Sequence, residues 1–246
     1  MAKIFIAVPE HKPWAEFEES LSRFIPLVSS KHDVEVYKTR GKSLVDAQNE
    51  IADEFLKSDK DYLLFLEEDH WGHTLEMLES LIKADTEVCA INYYSRHPGR
   101  MSCLLQYTGK SDPKKKYIEL YEQTSYQECD LVPFGMTLIK REVFDKLDKP
   151  YFRVNDYYGE MLQDKDINAR ATDRDFCDRL IEAGIRPMGC FDHTLIHSGI
   201  DEHNYIEYRK QDILDNMRNI EKITIEEGFR MLRKRQSERA GALCQN

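Results

Sequence analysis

The residues of this 246-residue chain best suited to chemistry stand in one stretch, Leu63-Leu64-Phe65-Leu66-Glu67-Glu68-Asp69-His70. There an apolar run breaks into consecutive carboxylates and a histidine. Clustered carboxylates repel one another unless a cation neutralises them. Oxygen donors suit Mg²⁺ or Mn²⁺, and Mg²⁺ typically takes one or two carboxylates together with substrate phosphates. Strand alternation continued past Leu66 would put Glu67 and Asp69 on one side and Glu68 on the other. A plainer reading has the acids cap the helix that follows.

Two further groups suit the same chemistry. Ala171-Thr172-Asp173-Arg174-Asp175-Phe176-Cys177-Asp178 places two acids, Asp173 and Asp175, at the start of an expected helix. Capping by Asp173, worth about 1 kcal/mol, is the alternative to a catalytic role. Thr194-Leu195-Ile196-His197 is a short apolar strand ending in a histidine, with His193 as a nearby competitor. An imidazole at a strand end, beside a carboxylate-bound ion, makes an additional ligand.

The elements that must position these groups are legible from periodicity. Ile4–Val8 reads as a first strand, and Trp14, Phe17, Leu21, Phe24 and Val28 share one helical face. Val34–Tyr37 alternates as a second strand. Ser43 opens a second helix, with Asp46 three residues on as in a capping box and Leu44, Ile51 and Phe55 on its buried stripe. Asp61–Leu66 is apolar on both faces, as the centre of a sheet covered by helices requires. A third helix is expected over Leu75–Lys83, a strand over Val88–Ile91, and an irregular polar stretch over 95–130 with Lys114–Lys116 at a loop tip. Gly135–Ile139 then reads as a strand followed by a short helix through Val143–Leu147. Asp173–Ala183 is a further helix, stopped by Gly184. This alternation predicts an α/β fold with a mixed, mainly parallel central sheet flanked by helices. The expected division is a domain over residues 1–205 and a helical C-terminal extension over 206–246. That extension carries a basic face of Arg230, Arg233, Lys234, Arg235 and Arg239, read as a solvated surface or as a contact for an anionic membrane or partner.

Composition narrows the function classes. Asp and Glu number 45 against 35 Lys and Arg, a formal net charge of −10. That balance argues against a bulk nucleic-acid binder, without excluding a nucleic acid as acceptor. No apolar run approaches the roughly 18 residues of a membrane span, and the N-terminus does not resemble a signal peptide. The six cysteines show no Cys-x-x-Cys or zinc-finger spacing and lie mostly in apolar runs. A reduced, cytoplasmic setting is the expectation.

In their order and spacing, these pieces resemble the nucleotide-sugar-dependent glycosyltransferases of GT-A type, close to the family 2-like enzymes, over about residues 3–200. The resemblance rests on the strand ending at Pro9, the helix carrying Gln48-Asn49, and Glu67-Glu68-Asp69 in place of the family's Asp-x-Asp. It rests also on the glycine-led segment Gly135-Met136-Thr137-Leu138-Ile139-Lys140-Arg141-Glu142-Val143-Phe144 and on the late His197. It implies a GT-A (Rossmann-like) fold, a Mn²⁺ or Mg²⁺ cofactor, a nucleoside-diphosphate sugar donor, and a glycan or other hydroxyl acceptor.

Carried over residue by residue, the resemblance makes Asp69 the principal metal ligand, with Glu67 and His197 completing the site. Glu67 stands at the motif's first acid, one methylene longer than the usual Asp, and Glu68 between them falls at the cofactor-binding position. Pro9, Arg40 and Asn49 are implied near the nucleotide. Asp173 matches the position of the general base, although Thr172 replaces the family's preceding Glu. His70 and Trp71 are candidates to stack on a sugar or to pack in the core. Tyr157-Tyr158-Gly159-Glu160 is a candidate acceptor loop or lid. Two alternatives accompany this reading. One is a nucleotidyltransferase acting on sugar phosphates, which the glycine-free Val8-Pro9-Glu10-His11-Lys12-Pro13 segment disfavours. The other is a catalytically inactive nucleotide-sugar-binding module.

Overall fold

The apolar, β-branched start of the chain forms β1, Lys3–Glu10, with every residue after Lys3 buried. The computed structural model describes residues 1–93, 105–107, 117–119, 125–153, 172–200 and 205–208. The periodic segment after β1 is helix α1, Ala15–Ser29, which buries Phe17, Leu21, Phe24 and Val28 at the expected spacing. Strand β2, Asp33–Arg40, returns parallel to β1. Helix α2, Leu44–Lys57, begins at Ser43, whose hydroxyl accepts the Asp46 N–H and donates to the Asp46 carboxylate. Leu44 departs from the expected stripe, because packing begins a turn later at Ala47 and leaves Leu44 44% exposed.

Strands β3, Tyr62–Leu66, and β4, His70–Trp71, precede helix α3, Leu75–Ala84, and strand β5, Val88–Tyr93. Strands β6, Leu105–Tyr107, and β7, Tyr117–Glu119, form a separate antiparallel ribbon. Strand β8, Tyr126–Glu128, is followed by β9, Met136–Lys140. A 3₁₀ turn over Arg141–Val143 follows, and residues 144–147, where the short helix was expected to continue, form a turn and bend instead. Helix α4, Thr172–Glu182, leads through Gly184, at φ +79°, into the long strand β10, Met188–Ile200, and then β11, Tyr205–Tyr208.

The main sheet runs β2-β1-β3-β9-β5-β10-β11, with β4 and β8 also paired to β10. Strands β1, β2 and β3 are mutually parallel, as are β5 and β10, whereas β9 lies antiparallel between β3 and β5. The sheet is therefore mixed, as expected, but parallel pairing does not dominate it. The partners β4, β8 and β11 all meet β10 antiparallel.

Alternation on the buried strands sends apolar side chains to both faces. Phe5, Ala7, Leu63 and Phe65 pack with Ile51, Phe55, Phe176 and Leu180 of α2 and α4. Ile4, Ile6, Val8, Leu64 and Leu66 pack on the other face with Phe17, Phe24, Leu78 and Leu81 of α1 and α3. The result is a three-layer α/β architecture with helices on both sides of the sheet. Cys89, Cys129, Cys177 and Cys190 are buried as thiols in these layers, as small hydrophobes would be.

The sheet reaches Tyr208, three residues past the boundary expected at 205. Residues 209–246, the 157–160 loop and Lys114–Lys116 lie outside the described residues. Among the described residues no helix is long and apolar enough to cross a membrane.

Candidate metal centre

The acids after β3 do not continue the strand. The chain turns instead: the His70 N–H donates to Glu67 O at 3.1 Å, and the Glu67 N–H donates to Gly135 O of the segment entering β9 at 3.3 Å. The turn sends the three carboxylates in different directions. Glu68 accepts the backbone N–H groups of His11 and Lys12 at 2.8 and 2.9 Å, and so clamps the loop between β1 and α1. Glu67 is half-buried, with Oε2 3.7 Å from His70 Nδ1. Asp69 faces two histidines.

Asp69 Oδ2 lies 3.3 Å from His197 Nε2, and Oδ1 lies 2.8 Å from His70 Nδ1. The contact with His70 is one of proximity and charge rather than of ideal hydrogen-bond angle. The sheet explains why residues 128 positions apart meet. In the β4–β10 ladder, His70 pairs directly with His197 and Trp71 with Ile196. The two imidazoles stack at 4.3 Å and 17°, and Tyr93 at the end of β5 closes on His70 at 4.1 Å and on His197 at 5.1 Å. His70 is 1% exposed and His197 8%.

Gly135 makes this packing possible. A Cβ there would stand 2.6 Å from Tyr93 Cε1 and 3.0 Å from His70 Cδ2. The glycine that opens the β9 segment is thus a close-approach position.

Burial acts to raise the Asp69 carboxyl, but the charges and hydrogen bonds of His70 and His197 outweigh it and hold the group well below the usual carboxylate range. An ionised carboxylate and an imidazole nitrogen, 3.3 Å apart, fit one divalent ion. Ligands at about 2.0–2.2 Å from a metal stand about 3–3.5 Å from each other at ordinary coordination angles. Carboxylate oxygen suits Mg²⁺ and Mn²⁺, and imidazole nitrogen suits transition ions such as Zn²⁺ and Fe²⁺. Among the described residues the one group of this kind is Asp69, His70 and His197; Glu67 and Asp173 lie outside it. His193, the competitor in sequence, is committed elsewhere, with Nε2 2.9 Å from Ser80 Oγ.

The other sequence candidates are placed as follows. Pro9 is buried near the carboxyl end of β1, opposite Thr39. Arg40 is exposed at the end of β2 and pairs with Glu10, which Lys38 Nζ also meets at 3.0 Å. Asn49 ties α2 to the chain after the 3₁₀ turn: its amide donates to Phe152 O at 2.7 Å and Val45 O at 3.0 Å, and its oxygen accepts the Phe152 N–H at 3.1 Å. Asp173 stands in the first turn of α4, where Oδ1 accepts the Arg174 N–H at 2.8 Å. Burial, only partly offset by backbone hydrogen bonds, pushes its carboxyl up to about 6. Trp71 is half-buried on β4.

Sequence reasoning missed His70 as a member of the cluster and Tyr93 as its cover. The adjacent Asp69-His70 pair was the available signal, hidden by the assumption that the strand ran on.

No family model and no curated protein matches the chain. Among solved structures it is similar to the protein A197 from STIV, at 18% identity over 85% of this chain and 95% of that one, with a TM-score of 0.53. Likeness at that level of identity concerns the fold alone, and it supports the mixed α/β architecture described above.

Proposed function

We propose that this chain is a metal-dependent glycosyltransferase of GT-A type, which moves a hexosyl or pentosyl group from a nucleoside-diphosphate sugar to an acceptor hydroxyl. The observation that carries the reading is the meeting of Asp69 Oδ2 and His197 Nε2, 3.3 Å apart. This pair lies just beyond the carboxyl end of β3, where open α/β sheets bind their ligands.

Asp69 and His197 would hold the ion, Mn²⁺ or Mg²⁺. When bound, the ion supplies positive charge to the departing diphosphate. Transfer forms a bond from the acceptor oxygen to C1 of the sugar. It breaks the bond from C1 to the phosphate oxygen, whose electron pair leaves with the diphosphate. Asp173 is the candidate to take the acceptor's proton. Its carboxyl, pushed up to about 6, lies near the range in which a general base works best at neutral pH. Arg40, Pro9 and Glu67 remain candidates around the nucleotide. Glu68 and Asn49 contribute by holding the surrounding loops, since their polar atoms are engaged by backbone groups. Acceptors compatible with these residues include a glycan, a protein side chain, a lipid-linked sugar and a modified nucleic-acid base. The buried thiols fit a cytoplasmic setting.

The test is release of nucleoside diphosphate from a panel of nucleotide sugars, with and without Mn²⁺. Mn²⁺-dependent release from one donor is the expected result. A metal-dependent melting shift with no release, even with acceptors supplied, would favour a binding module. The absence of both release and shift would overturn the proposal.

A further inference from the structure

We infer that His70 is a positioning residue for the metal site, fixing the Asp69 carboxylate through Nδ1 so that Oδ2 faces His197 Nε2. This inference rests on the metal-binding reading above.

The surroundings of His70 leave its ring little freedom. It is 1% exposed, stacked on His197 at 4.3 Å, and covered by Tyr93 at 4.1 Å. Its backbone N–H closes the turn onto Glu67 O at 3.1 Å, and its place opposite His197 is set by the β4–β10 ladder. These contacts hold the ring in place between His197 and Tyr93. What it presents to the site is Nδ1, 2.8 Å from Asp69 Oδ1.

A carboxylate has a free torsion about its Cβ–Cγ bond, so a lone Asp69 would sample several orientations. A ring nitrogen held 2.8 Å from Oδ1 favours, by charge and proximity, the one in which Oδ2 and His197 Nε2 stand 3.3 Å apart. Partners of this kind, which orient a ligand without themselves binding the ion, are worth roughly 10- to 100-fold in metal affinity. Glu67 Oε2 stands 3.7 Å from the same nitrogen, beyond hydrogen-bond range, and adds a second carboxylate on that side of the ring.

Two substitutions separate the nitrogen from the ring. His70→Phe keeps an aromatic ring against His197 and Tyr93 but removes Nδ1. His70→Asn gives up the ring but places an amide nitrogen close to the Nδ1 position. The readout is the Kd for Mn²⁺ alone by calorimetry, with the melting temperature of each metal-free protein as a check on folding. The expected result is tenfold or greater weakening in His70→Phe, and a Kd within about threefold of the unsubstituted protein in His70→Asn.

A His70→Phe protein that binds Mn²⁺ like the unsubstituted chain would overturn the inference, as would a His70→Asn protein that binds as weakly as His70→Phe. Should His70→Phe fail to fold, His70→Gln takes its place, because a glutamine amide reaches the Nε2 position rather than Nδ1. Equal affinity in the Gln and Asn proteins would count against a role for Nδ1. If the unsubstituted protein takes up no Mn²⁺, the metal reading itself fails and this inference with it.

Discussion

His70 and His197 are direct partners across the β4–β10 ladder, and their imidazoles stack 4.3 Å apart at 17° with Asp69 at their edge. A two-residue strand therefore has a purpose in this fold. It converts the turn after β3 into a fixed platform, so that a carboxylate meets an imidazole 128 positions further along the chain. The sheet supplies the geometry, and the side chains supply the charge.

Gly135→Ala tests how tightly that platform is packed. The added methyl would meet the rings of Tyr93 and His70 at 2.6 and 3.0 Å, and both rings are closely covered. Overpacking of this kind costs about 1–3 kcal/mol. Chemical denaturation should show that loss, and the Mn²⁺ affinity should fall with it. Unchanged stability would mean that the rings move aside freely.

Asp173→Asn separates catalysis from stability. With its carboxyl raised to about 6, the folded protein holds a proton that the unfolded chain, at about 3.9, has already released. The folded state binds more protons between those values, so stability falls as pH rises through that window. Replacing the acid with a neutral amide should therefore stabilise the protein at pH 7, by an amount on the order of 1–3 kcal/mol, and not at pH 4. Donor binding should persist while transfer is lost. Transfer at the unsubstituted rate would remove Asp173 from the role of base.

How much of this was legible beforehand varies by element. The face of α1 was plain, because Phe17, Leu21, Phe24 and Val28 stand on a 3.6-residue period that only a helix satisfies. The direction of β9 was not, since a run of apolar residues such as Met136–Ile139 looks the same parallel or antiparallel. Asp69 was identified from residue type and its place after a strand, whereas His197, expected to end a short strand, lies inside β10, which runs on to Ile200 and pairs it with His70. Glu68 and Asn49 were placed at the nucleotide by resemblance, whereas their backbone partners at His11, Lys12 and Phe152 depend on loop paths that no periodicity encodes.

Glu68→Ala should release the loop between β1 and α1. Two backbone N–H groups would lose a charged acceptor, a change worth about 1–3 kcal/mol at most and less where water replaces the carboxylate. Amide hydrogen exchange at His11 and Lys12 should accelerate, with little change at β10. Protection that stays the same at those two amides would show that Glu68 does not hold the loop.

His73 should govern part of the acid sensitivity. Burial, followed by the charge of His70, lowers its pKa to about 3, and its ring sits between Phe17 and Phe24 beside Ser20. The unfolded chain takes up this proton near pH 6.5, before the folded state does. Stability is therefore lost as pH falls from about 6.5 toward 3, by up to several kcal/mol. Urea titrations across that range should show a shallower loss in His73→Phe. Parallel curves for the two proteins would assign the acid sensitivity to other groups.

On the proposal made here, Asp69 and His197 hold a divalent ion on which donor binding depends. Thermal shift with nucleoside diphosphates and nucleotide sugars, with and without Mn²⁺, tests it most directly in the unsubstituted protein and in Asp69→Ala. The expected result is a metal-dependent stabilisation by one nucleotide that disappears in Asp69→Ala, while that protein still unfolds cooperatively. Nucleotide binding that is indifferent to Mn²⁺, or that survives in Asp69→Ala, would contradict it.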